Sequence, residues 1–175
     1  IESTLNTQAT NWGSEAGRVI RSKDGDEQGA NTLDHVVGCS VCRAAFPGYL
    51  QGLGLTLQDL GISNWSEAVP ISDANRESAP ALYYYTHMFR FDSFRAMAKL
   101  CQDELAERFP NARNNNNFSN GCITTGTTLV RYNIDLYRAI RNGFGMGWTE
   151  DWPGYGAGPM QNSYLYSMMR VACRG

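Results

Sequence analysis

A chain of 175 residues with a formal net charge of -2 and a pI of about 5.7 has the length for a hydrophobic core and lacks the basic surplus that a nucleic-acid-binding face needs. Charged residues make up 18% while Gly, Asn and aromatic residues are plentiful, a balance that suits a neutral polar ligand better than a phosphate. No apolar run approaches the roughly 18 residues of a membrane span and no secretory signal is visible, so neither nucleic acid nor membrane is expected as a partner.

In chain order, residues 1–30 are polar and low in periodicity, and read as a short helix or strand end followed by a loop. Residues 39–53 read as a helix in which Pro47 must start, end or kink a turn, with Gly54 as the stop signal. Thr56 to Asp59 (TLQD) has the form of a capping box with Asp in the last place. From Ala81 to Phe109 no Gly or Pro intervenes, and Phe94, Met97, Ala98, Cys101, Leu105 and Phe109 step by three or four, which predicts a long helix with one apolar face ended by Pro110.

Residues 112–119 (ARNNNNFS) can form a short strand reaching a loop, against the poor strand propensity of four asparagines. Asp135 to Asn142 reads as a helix stopped by Gly143, and FGMGWT as a short buried strand. Met160 to Cys173 reads as a final helix with Leu165, Met168, Met169 and Ala172 on its apolar side. Alternation of strand and helix predicts an α/β fold with right-handed βα units and a parallel sheet, in a single domain, 1–175.

Three constellations can carry chemistry. Glu150 and Asp151 follow the strand-like FGMGWT, at the strand end where βα folds bind ligands. A carboxylate there can serve glycoside hydrolysis or hold hydroxyl pairs, and the rings of Trp148, Trp152 and Tyr155 can stack on a sugar face. Adjacent acids point to different sides of a strand, so these two do not make a catalytic pair. The plainer alternative is a turn with solvated acids and core tryptophans.

The second constellation is HVVGCSVC, with His35, Cys39 and Cys42. A C-x-x-C pair with a histidine can ligate zinc, although a closed site needs a fourth ligand, and the alternative is two thiols on a helix packed into a core. Five cysteines, an odd count, argue against a full disulfide framework and leave the redox compartment open. The third is ALYYYTHMFRFDSFR, whose His87 can meet a ligand if the helix start faces a cleft, or be satisfied structurally. An asparagine near a strand end, such as Asn117, can bind a hydroxyl. No P-loop, dinucleotide fingerprint, nucleophile elbow or H-E-x-x-H occurs.

The order of these pieces resembles the middle of a clan A TIM-barrel glycoside hydrolase, closest to the family 42 β-galactosidases. The resemblance runs from Cys39 to Gly175 through C-x-x-C-x3-F-x3-L (Cys39, Cys42, Phe46, Leu50), TLQDLGISNW, the long helix to Pro110, the Asn-Phe strand end (Asn117, Phe118) and W-x-x-D-W-P. It implies that the chain is a helix-rich segment of a (β/α)8 barrel with a few parallel strands, whose missing strands come from a longer chain or a self-associating partner. It also implies a retaining hydrolase of neutral carbohydrate with one acid/base and one nucleophilic carboxylate. Trp148 and Asp151 would line the cleft at the sixth strand end, and Glu150 would lie beside them. Glu2 is the acid near the fourth-strand position, where the family carries its acid/base. Family members with structural zinc have a further cysteine two residues before the C-x-x-C pair, where this chain has Val37. Two other readings stand beside this one: a non-catalytic carbohydrate-binding module, and a small zinc or redox protein built on Cys39 and Cys42. No cofactor other than that zinc is expected.

Overall fold

The computed structural model describes residues 2–26, 30–117, 135–148 and 159–174. Its elements are α1 (Glu2–Trp12), β1 (Arg21–Asp26), α2 (Leu33–Gly38), α3 (Ser40–Gly52), α4 (Leu57–Leu60), α5 (Pro80–Arg108), β2 (Arg113–Asn117), α6 (Leu136–Asn142) and α7 (Pro159–Ala172), with short 3-10 turns between several of them. The fold is α/β and rich in helix, with two parallel strands among the described residues. The chain divides into two compact units, residues 30–93 and residues 1–29 with 94–175, and α5 runs through the division.

In the unit of residues 30–93, helix boundaries follow local chemistry. Thr32 caps α2 by accepting the His35 N–H at 3.2 Å. The Thr56–Asp59 capping box expected from the sequence is formed in both directions: the Thr56 hydroxyl accepts the Asp59 N–H at 3.2 Å and the Asp59 carboxylate accepts the Thr56 N–H at 2.8 Å. The Thr56 hydroxyl, which donates to the Asp59 carboxylate at 2.7 Å, and then the Thr56 N–H hold the Asp59 carboxyl below its ordinary range. Gly54 ends α3 with φ of +76°, its N–H bonded to the Gln51 carbonyl and the Leu55 N–H to that of Leu50, the two bonds of a Schellman turn.

Pro47 lies inside α3 and neither starts nor ends it. The backbone bond it forgoes is offset by Phe46 and Leu50, both fully buried, each contributing on the order of 1.5–3 kcal/mol by leaving water. They form a core with Leu60, Ala68 and Leu82, closed by edge-to-face contacts of Phe89 with Phe46 and Tyr49. The buried Thr86 hydroxyl donates to the Leu82 carbonyl and accepts the Ile71 N–H, so its burial leaves no polar group unpaired there.

In the other unit, β1 and β2 pair in parallel from Arg21↔Arg113 to Asp26↔Asn117, with a bulge between Lys23 and Gly25. Over the described residues 144–148 the expected strand at FGMGWT is a single bridge, Trp148 to Asn117, reached through a bend that holds the Met146 N–H on the Asn114 carbonyl. Three glycines explain the bend. A Cβ at Gly143 would stand 2.5 Å from the Ala139 carbonyl oxygen and 3.3 Å from Ala98. One at Gly145 would strike Gln102, and one at Gly147 would come within 3.1 Å of Met169 and Ile140. Backbone here is packed too closely against α5, α6 and α7 to extend as a ladder.

The expected helices at residues 81–109, 135–142 and 160–173 are α5, α6 and α7, with Asp135 capping α6 through the Arg138 N–H. On the α5 apolar face, Phe94, Ala98, Leu105 and the following Phe109 are buried as expected, while Met97 is exposed. Leu105, Phe109 and Ala112 collect Leu5, Ala9, Ala16 and Val19, which is how the polar α1 is held. No helix among the described residues is long and apolar enough to cross a membrane.

Candidate metal centre

The densest cluster of ligating side chains among the described residues is His35, Cys39 and Cys42. H-x3-C-x2-C would place all three on one face of a continuous helix, but the helix is broken at Cys39, whose ψ of 118° is extended. Cys39 serves two helices at once. Its N–H closes α2 on the His35 carbonyl at 2.9 Å, and its sulfur opens α3 by accepting the Cys42 N–H at 3.2 Å. Leu33 and Val36 bury one side of α2, and Phe46 and Leu50 anchor α3, so the three donors are set by packed elements. One imidazole nitrogen and both sulfurs lie within 4.8 Å of one another, with His35 exposed and both cysteines half-buried.

The two thiols differ electrostatically. The Cys42 thiol and then its backbone N–H hydrogen-bond to the Cys39 sulfur and lower the Cys39 pKa. Burial, followed by that same hydrogen bond, pushes Cys42 up to about 11. Two soft sulfurs and an imidazole suit zinc, for which Zn–S near 2.3 Å and Zn–N near 2.0–2.1 Å need the donors to close by no more than about 1 Å, within the reach of side-chain rotation. Three protein ligands leave one position of a tetrahedron for water or an external ligand.

A second polar cluster lies on the first turns of α5. Arg90, 2% exposed, donates through Nε to the Asn31 carbonyl at 2.7 Å and through Nη1 to His87 Nδ1 at 3.0 Å. Arginine has no acceptor, so Nδ1 is the accepting nitrogen and the neutral imidazole carries its proton on Nε2. Burial and then the Arg90 charge depress the His87 pKa. Its ring meets Tyr83 edge-on at 4.8 Å, and the Tyr83 hydroxyl donates to Asp73. His87 thus orients a buried cation.

The remaining expected site residues scatter. Glu2 lies exposed on α1, 3.7 Å from Arg108. Asn117 is buried at the end of β2, paired with Trp148. The Arg21 guanidinium sits 4.5 Å from the Trp148 ring centre. Glu150, Asp151, Trp152 and Tyr155 lie outside the described residues, as does Cys122; no disulfide joins Cys39, Cys42, Cys101 or Cys173 to one another.

The asparagine run has a function that strand propensity hides. Asn114 donates from Nδ2 to the Ala98 carbonyl at 2.8 Å and accepts the Gly145 N–H at 2.7 Å, while Gln102 accepts its backbone N–H at 2.8 Å. Asn115 donates to the Ser22 carbonyl at 2.9 Å. These amides stitch β2 to α5, to the 145 bend and to β1. The signal available in the sequence was their polarity in a segment otherwise placed to be buried.

Comparison of the chain with protein-family models, with curated proteins and with solved structures finds no match.

Proposed function

We propose that the protein binds a divalent transition metal, zinc by donor chemistry, through His35, Cys39 and Cys42. The observation that supports this is the double cap at Cys39, which brings three soft donors within 4.8 Å on two anchored helices. A core role for the two thiols accounts less well for their half-burial and for an exposed histidine beside them. The test is metal content after equilibration with zinc and desalting. About one zinc per chain is expected for the wild type and none for Cys39→Ser. A folded wild-type chain that retains no zinc defeats the reading.

A second reading is favoured by one arrangement. The parallel bridge between Asn117 and Trp148 sets an amide and an indole at the C-terminal end of adjacent parallel segments, where βα folds bind ligands. On this reading the chain is a segment of a (β/α)8 barrel in a glycoside-hydrolase-like protein, or a carbohydrate-binding module. Sugar release from an oligosaccharide panel that Glu150→Gln abolishes supports hydrolysis. Neither release nor binding by the folded chain removes this reading.

A further inference from the structure

The proposed metal role leaves one property of the centre unused: its two sulfurs are also a dithiol. Cys39 sits at the N-cap of α3 and Cys42 at the third helical position, the relation in which a capping atom faces the backbone it caps. The sulfurs lie within 4.8 Å and both residues are half-buried, so a small oxidant reaches them. Rotation of both side chains, further than a metal would require, closes the sulfurs to the roughly 2.05 Å of a disulfide.

We infer that the metal-free Cys39–Cys42 pair closes to an intramolecular disulfide by exchange with a small disulfide of the glutathione class, and that metal and disulfide exclude each other, so that the centre is a redox-gated metal site. This rests on the metal reading above. One of the two sulfurs, as its thiolate, attacks one sulfur of the small disulfide, whose S–S bond breaks and releases one thiolate, protonated by water. The other cysteine then gives its proton to the second departing thiolate as its sulfur bonds to the first. The protein loses two thiol hydrogens, one small disulfide becomes two thiols, and no other oxidant is needed. A metal held by both sulfurs occupies the electron pairs that make the attack. A disulfide in turn offers no thiolate to hold a metal, and a dithiol reductant restores the site.

The experiment exposes the full chain to glutathione disulfide, stripped of metal or loaded with zinc, with zinc content measured on the same samples. The product is read by mass spectrometry of the tryptic peptide ending at Arg43, which contains both cysteines. The metal-free chain should yield a peptide lighter by two hydrogens, and Cys42→Ser should stop at a glutathione adduct on Cys39. Zinc loading should slow closure at least about tenfold. A zinc-binding chain whose metal-free form makes no Cys39–Cys42 link overturns the inference and leaves the metal reading standing. So does closure at equal rates with zinc shown to be bound. A chain that takes up no zinc fails the metal reading itself, and the gating with it.

Discussion

Asn114 shows how much one side chain decides. Its amide accepts the Gly145 N–H and adds a second donor to the Ala98 carbonyl, which α5 already bonds to the Gln102 N–H, so an apolar replacement of similar size strands the Gly145 N–H. Asn114→Leu should lower stability by about 1–2 kcal/mol, most of it the loss of that N–H's partner; urea denaturation that shows no loss would mean water replaces the amide. His87 supplies a pH dependence. Because folding depresses its pKa below the ordinary value, the folded state resists the proton that the unfolded chain accepts, so the contribution is present above the unfolded pKa and is lost as pH falls below it. Wild type should lose more stability between about pH 7 and pH 5 than His87→Gln, which keeps an acceptor for Arg90 and cannot titrate. Parallel curves for the two proteins would contradict the depressed pKa. Neither residue's role could be read from the sequence. One partner of Asn114 is sixteen positions earlier on α5, and the Arg90 that His87 orients is held by a carbonyl 59 positions away.

Helix ends were the most legible elements because their chemistry is local. Thr56 and Asp59, Gly54, Pro110 and Asp135 act within four residues of themselves, and their motifs carry over directly to structure. The strand at β2 and the bend at Gly143 to Gly147 depend on what packs against them, and a run of asparagines or of alternate glycines says nothing of that. The contrast is testable in two glycines. Gly61, at φ of +67° with open space around its Cα, should cost about 1 kcal/mol as Ala through backbone strain alone, and Gly61→Asn should recover part of it. Gly143 has an ordinary φ of −130° but stands against the Ala139 carbonyl, so Gly143→Ala should cost about 1–3 kcal/mol by overpacking and Gly143→Asn more still. Thermal melts in which Asn rescues both positions would refute that distinction. The H-x3-C-x2-C spacing was legible as well, but its conformation was not: a helix break at Cys39, marked in the sequence only by the preceding Gly38, is what makes a capping sulfur of it.

At the scale of the molecule, the proposed metal centre lies wholly inside the unit of residues 30–93. Ligand binding stabilises whatever unfolds with the site, by about 2.7 kcal/mol at a free concentration one hundred times the dissociation constant. Zinc should therefore slow hydrogen exchange at amides of α2 and α3, leaving those of β2 unchanged. Equal protection across both units would mean that they unfold as one. Why β1 escaped the sequence is itself informative: RSKDGD has no apolar residue, and its only described partner strand is some ninety positions away. That composition has a use. Among the described residues β1 lies at the border of the sheet, where a flat apolar strand would offer its unpaired edge to any other chain. Two cations and two anions in six residues, together with the bulge between Lys23 and Gly25, make a poor template for such pairing. The stretch least recognisable as a strand is thereby the one whose composition least suits it to pair with another chain.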